Sequence, residues 1–177
     1  MALVKEFKMD ALEAIFSRRS IRHYQHGDIS ASELDTLLRA GMAAPSAGNQ
    51  QVWHFVVIDD RRILDKIPDI HPYSKMLKEA PMAIMVCADQ SAETKTGYWI
   101  QDCAAATQNI LLAAEALGLG ACWLGLHPRE ERKEAISRLL NLPVSISPLS
   151  LIAIGKKGET KPPAKRYLES HIHKNGW

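Results

Sequence analysis

The sequence predicts a layered fold in which helices cover both faces of one sheet. Three observations lead to it. Four short apolar runs, Trp53–Ile58, Met82–Ala88, Ala121–Leu126 and Leu149–Ile154, have the length and the β-branched or aromatic character of strands. Helical patterning separates them. The second run, MAIMVCA, does not alternate between apolar and polar residues, which marks a central strand covered on both sides.

The elements follow in order. Asp10 and Glu13 form a capping-box pattern, and Leu12, Ile15 and Phe16 stand at helical spacing, so a short helix runs into Arg18–Arg19. Ser30 and Glu33 repeat the pattern ahead of a stripe of Leu34, Leu37 and Leu38, with Gly41 near the helix end. Ala44–Asn49 is a loop by composition. The strand Trp53–Ile58 stops at Asp59-Asp60, and Ile63, Leu64 and Ile67 mark a short helix behind it. Met82–Ala88 follows Pro81. Gln101–Leu117 is the longest helix, dense in small side chains that allow another helix to approach, and Gly118 is placed to cap it. The third strand Ala121–Leu126, a charged amphipathic helix Arg129–Leu140 and the strand Leu149–Ile154 complete the pattern.

The 177 residues are 46% hydrophobic and 24% charged, the mixture of a soluble globular domain. A chain of this size buries roughly 70% of its unfolded surface and needs no disulfide or structural metal. No internal repeat or linker divides it, so one domain is expected over residues 1–177. The longest stretch free of charged and polar side chains, Ala116–Leu126, has 11 residues, short of the ~18 that a membrane span requires. Lys5, Glu6, Lys8 and Asp10 stand where a leader would need apolar residues, and a cytoplasmic location is expected. Cys87, Cys103 and Cys122 lie in apolar runs without ligand spacing and are expected as buried, reduced thiols. A net charge of +2 is too small for a nucleic-acid footprint. Its distribution is uneven, however, with +4 on Lys156–Trp177 and −2 on the other 155 residues.

The motifs exclude several chemistries. Gly118-Leu-Gly120 follows a helix and precedes a strand, the reverse of a dinucleotide fingerprint, and suits a cap and turn. Walker A, GxSxG and HExxH patterns are absent. What remains is Arg18-Arg19-Ser20-Ile21-Arg22, entering an extended stretch in which Ser20 and Arg22 share one face. Two readings of it stand: an anion-binding strip, or a basic helix end favourable to the helix dipole. Ser46 and Asn49-Gln50-Gln51 likewise serve either a plain turn or the hydrogen-bonding needs of a heterocycle or ribityl chain. The seven histidines, His23, His26, His54, His71, His127, His171 and His173, are expected in surface or capping roles.

Three motifs in order, RRSIRHY (Arg18–Tyr24), APSAGNQQVWHFVV (Ala44–Val57) and GLGACWLG (Gly118–Gly125), with AKRYLE (Ala164–Glu169) in the tail, resemble the FMN-dependent nitroreductase family over nearly the whole chain. The resemblance implies an α+β fold, a three-layer α-β-α sandwich with a central mixed sheet, assembled as an intertwined homodimer with residues 156–177 as a basic extension packing on the partner subunit. It assigns Arg18, Arg19, Ser20 and Arg22 to the flavin phosphate, ribityl chain and pyrimidine edge. The family loop usually reads PSSxNxQPW and reaches the flavin from the partner, which carries Pro45, Ser46, Asn49 and Gln51. This chain departs from that pattern at Ala47 and Val52. Trp123, Leu124 and Gly125 fall beside the isoalloxazine, with a backbone N–H near N5. Arg166, and after it Lys165, match the C-terminal phosphate contact. Tyr73, Lys75 and Trp99 fall where members vary their substrate contacts.

The activity implied is FMN-dependent and NAD(P)H-driven, with NADH or NADPH as donor. A small-molecule nitroaromatic or quinone acceptor then takes the electrons in ping-pong order. No side-chain nucleophile is called for, and Arg22 tunes the flavin from its N1/O2 edge. Dehalogenation or dehydrogenation on the same scaffold, and flavin binding without turnover, are the alternatives. Neither nucleic acid nor membrane is an expected partner.

Overall fold

The computed structural model describes residues 9–177. Lys5, Glu6 and Lys8 lie outside the described residues. Six α-helices and five strands are found among those described. Helix α1 (Ala11–Ser17) starts at Asp10, whose Oδ1 accepts the Glu13 N–H at 2.8 Å, and the reciprocal half of the box is not made. A two-residue strand β1 (Tyr24–Gln25) follows. Helix α2 (Ala31–Met42) has both halves of its box. Ser30 Oγ accepts the Glu33 N–H at 3.3 Å, and Glu33 Oε2 accepts the Ser30 N–H at 2.7 Å. Gly41 lies inside this helix because a Cβ there would stand 2.9 Å from the Phe55 ring of β2 (Trp53–Ile58).

The expected single helix after β2 is two short turns, α3 (Arg61–Leu64) and α4 (Ile67–Ile70). Strand β3 (Met82–Asp89) leads to α5 (Trp99–Ala116), which starts two residues earlier than expected and stops at Gly118, where φ is +76°. Strand β4 (Leu119–Gly125) begins two residues before the expected start, and α6 (Glu130–Leu140) and β5 (Ile146–Lys157) complete the chain's regular structure.

Every pairing of these strands is antiparallel. β3 lies between β2 and β5, while β5 also pairs with β4 and, at Lys156 and Lys157, with β1. The sheet's parallel element is the single bridge of Ser20 with Ala121. Alternate residues of each strand feed two apolar layers. Ile84, Val86 and Ile152 pack with Leu37 of α2 and Cys103, Ala106 and Ile110 of α5. Met85, Cys87, Leu124 and Leu151 pack on the other face with Leu64, Ile67 and Ile136 of α3, α4 and α6. The three-layer sandwich is thus real, and it explains the unalternating MAIMVCA: β3 is buried from Met82 to Ala88 because both of its faces are covered. The three cysteines are buried and unpaired. Among the described residues, no helix is long and apolar enough to cross a membrane.

Candidate functional site

The basic strip is built on the edge of β4. After α1 the chain crosses to Ala121, whose carbonyl accepts the Ile21 N–H at 3.1 Å. Ile21 is buried, so alternation sends Ser20 and Arg22 away from the core. Gly120 is what lets the segment come this close, since a Cβ there would stand 2.8 Å from Ile21 Cγ2. The glycine expected in a turn is therefore an internal residue of β4, required by packing.

The neighbouring arginines have different fates. Arg19 donates to the Phe16 and Arg18 carbonyls at 2.8 and 2.7 Å and to the Pro162 carbonyl at 2.9 Å, so it closes α1 and ties down the tail. Lys161 adds a bond to the Ser20 carbonyl at 2.7 Å, and Glu159 accepts the Arg22 N–H. The half-buried Arg18 guanidinium makes no hydrogen bond or ion pair among the described residues. Its burial, followed by the nearby cations of Arg166 and Arg19, pulls its pKa below the usual arginine value. Glu115 opposes that effect, but its carboxylate is held by Lys157 Nζ at 2.8 Å and Ser17 Oγ at 3.1 Å. Lys165 and Arg166 are exposed. The result is a cationic cluster drawn from both ends of the chain, in which Arg18 has no hydrogen-bonded or ion-paired partner among the described residues.

At the end of β4, Arg22, Trp123, Leu124 and Gly125 line a cavity of about 390 Å³ together with His71 and Tyr73. His71 corrects the expectation of surface histidines. It is 2% exposed, its Nε2 bonds the Gly125 carbonyl at 3.0 Å, and its Nδ1 accepts the Tyr73 N–H at 3.3 Å. Those partners place the proton on Nε2. Burial holds its pKa below the ordinary histidine value, with Arg132 acting in the same direction and the Gly125 bond opposing. A Cβ on Gly125 would meet nothing nearer than the His127 carbonyl oxygen at 3.8 Å, so the chain's own packing leaves that face open. Tyr73 reaches this cavity, whereas Trp99 is a core residue stacked edge-on against His127 and Lys75 opens a short 3-10 turn.

The loop before β2 is organised by Asp102, which the sequence reading did not single out. Buried in the first turn of α5, it accepts the Ala47 N–H at 2.9 Å and the Gln50 Nε2–H at 2.7 Å. Gln50 Oε1 in turn accepts the Thr94 and Lys95 N–H groups. Gln50 is therefore an internal anchor rather than a ligand group. Gly48, Asn49 and Gln51 have φ of +57°, +56° and +49°, and the side-chain amides of Asn49 and Gln51 make no hydrogen bond among the described residues. Ser46 Oγ accepts the Gln51 N–H at 3.1 Å. Pro45 and Ser46 line a second cavity with Tyr98 and Gln101, and that cavity holds none of the residues of the strip. The signal for Asp102 was present in the sequence as a lone acid at the head of an alanine-rich helix.

The model of the Nitroreductase family matches residues 15–72 and 70–156. A protein of Methanothermobacter thermautotrophicus named as an NADH dehydrogenase/NAD(P)H nitroreductase is 47% identical over 173 residues, covering 98% of this chain and 91% of its own. A solved structure from Parabacteroides distasonis with the same description superposes with a TM-score of 0.91 at 41% identity, over 94% of this chain and 98% of that one. A nitroreductase from Desulfovibrio desulfuricans, solved in complex with FMN, gives 0.81 at 32% identity over 94% and 97%.

Proposed function

The chain belongs to the nitroreductase family, and on that premise we propose that it is an FMN-dependent NAD(P)H oxidoreductase acting on nitroaromatic or quinone acceptors. The observation that carries the reading is Arg18: a half-buried guanidinium without a hydrogen-bonded or ion-paired partner among the described residues, flanked by Arg19 and Arg166. Convergent cations of this kind suit a terminal phosphate dianion, and the open face of Gly125 suits a flat ring. The residues present thus fit FMN. When bound, FMN would supply the redox chemistry between a nicotinamide donor and an acceptor that replaces it in ping-pong order.

The protein's part is to bind, orient and tune. Arg18 and Arg166 neutralise the phosphate, with Lys165 beside them and Arg19 fixing the tail that brings Arg166 near. Ser20 and Arg22, on the outward face of the strip, address the ribityl chain and the N1/O2 edge. There the Arg22 cation stabilises negative charge that arrives with the hydride. The end of β4 supplies backbone N–H groups toward N5, and His71 steadies it through the Gly125 carbonyl.

In keeping with the family resemblance, Ser46, Asn49 and Gln51 contribute from a second copy of the chain; Pro45 and Ser46 line a cavity of their own chain that includes none of the strip's residues, which is compatible with that arrangement. An apolar groove lined by Ala14, Ile15, Ala40, Ala43, Leu112 and Ala113 gives such a copy a surface to pack on, consistent with a homodimer. Buried, reduced cysteines agree with a cytoplasmic setting.

The test is direct. Purified protein should release FMN, not FAD, on denaturation, as read by chromatography. It should also oxidise NADH or NADPH only when an acceptor such as menadione is present in excess. Release of FAD alone would overturn the phosphate assignment, and flavin binding without turnover would overturn the enzymatic one.

A further inference from the structure

The cavity at the end of β4 extends past the residues assigned to the flavin. Its far wall is the start of α6, where Arg129 and Arg132 join Arg22, and Tyr73 stands at the mouth with 72% of its surface exposed. None of these three guanidinium groups has a salt bridge among the described residues. Of the acids of α6, Glu130 holds Lys133 at 3.1 Å and Glu134 holds Arg138 at 3.6 Å, while Glu131 of the first turn makes no salt bridge with either arginine among the described residues and does not line the cavity. Arg132 lies 5.8 Å from the centre of the Tyr73 ring, which stiffens both side chains at the entrance. Buried His71 on the same wall is kept neutral and contributes no further charge. Gathering like charges around one cavity is unfavourable unless an anion offsets it. Phosphate capture is assigned above to the cluster of Arg18 and Arg166, so Arg129 and Arg132 are not called on for the flavin phosphate.

We propose that Arg129 and Arg132 form an anion subsite that recognises a carboxylate or phosphate on the substrate entering beside the flavin, and that with Tyr73 and Trp123 they select a planar aromatic acceptor carrying such a group. The inference rests on the placement of the flavin at Gly125. Tyr73 and Trp123 offer the exposed ring faces, and the two arginines offer forked donors suited to paired oxygens. The same chemistry has two sources, an acidic acceptor or the extra phosphate of NADPH.

The test compares para-nitrobenzoate with nitrobenzene, which lacks the carboxylate, and NADPH with NADH. Calorimetric affinities and kcat/KM are measured for wild-type protein, Arg129→Gln/Arg132→Gln and Arg129→Lys/Arg132→Lys. For wild type, the anionic acceptor should be preferred by about tenfold or more, the scale of charge-assisted bonds. That preference should largely vanish in the Gln variant, persist in part in the Lys variant, and leave nitrobenzene and FMN affinities unchanged. A collapse of the NADPH preference alone would keep the subsite and assign it to the donor. Equal preferences in wild type and the Gln variant would overturn it. The calorimetry is repeated without added flavin and FMN binding is measured separately, so failure of the flavin reading is visible apart from failure of the arginine pair.

Discussion

The strip Arg18–Arg22 and the loop Pro45–Gln51 are both assigned to one ligand, yet they are built in opposite ways. The strip is laid on a sheet edge. Gly120 admits Ile21, and the backbone is fastened by Ala121, Glu159 and Lys161, while the Arg18 charge has no partner among the described residues. The loop has no strand to lie on. It is held from within by one buried carboxylate, Asp102, and it keeps Asn49 and Gln51 at positive φ with their amides unused. In the strip the unsatisfied group is a charge, and in the loop it is backbone conformation. Both halves thus keep groups that the described residues of this chain do not satisfy.

The largest expected effect breaks the loop. Asp102→Ala leaves the Ala47 N–H and the Gln50 amide without their acceptor, and urea unfolding should show a loss of about 2–4 kcal/mol. FMN affinity should fall with it, although Asp102 lies behind the loop. Intact affinity in a destabilised protein would mean that the loop does not reach the flavin.

The next effect separates two adjacent arginines. Arg18→Ala should weaken FMN binding by about 1.5–3 kcal/mol, the usual scale for a hydrogen bond to a charged group, and leave stability nearly unchanged. Arg19→Ala should do the reverse, costing about 1 kcal/mol of stability through the lost Phe16 and Pro162 contacts, with a smaller loss of affinity. Identical profiles for both variants would erase the distinction between ligand-facing and tail-fixing arginines.

How far the sequence revealed this depends on whether a feature is local. Trp53–Ile58 agrees with β2 residue for residue, and the Ser30 box and the Gly118 cap behave as their chemistry requires, because each depends on neighbours a few residues away. Strand β1 was illegible, since Tyr24 and Gln25 pair only because β5 runs on to Lys157. The antiparallel order was hidden as well, because hydropathy reports burial and carries no strand direction. In the site, Arg18 and Arg22 were visible as a cluster, but the diversion of Arg19 to carbonyls was not. His71 escaped notice because its role comes from Gly125, 54 positions away in sequence.

A subtler effect concerns pH at the end of β4. His71 has its folded pKa lowered by burial, so the unfolded chain binds the proton more readily and the associated stability is complete above the ordinary value of 6.5. Stability should fall as pH drops below that value, and His71→Gln should flatten the slope in urea titrations between about pH 5 and 7. An unchanged slope would show that His71 does not titrate with unfolding.

The smallest stability effect belongs to Arg22, whose exposed side chain should contribute no more than about 1 kcal/mol. Its replacement by Gln should instead lower the flavin reduction potential and slow reduction by NADH or NADPH. Redox titration and stopped-flow reduction check both, and an unchanged potential would reduce Arg22 to a structural contact.

The central claim is that one chain's strip is completed by another chain's loop, and a mixed dimer tests it most directly. Arg18→Ala chains are paired with Ser46→Ala/Asn49→Ala chains, and FMN binding to the isolated heterodimer is titrated. If the loop acts across the dimer, both lesions fall in one site and the other site is intact. Half of the sites should then bind FMN with wild-type affinity, although neither parent homodimer has any such site. If the loop serves its own chain, every site carries one lesion, no wild-type site is found, and the account is contradicted.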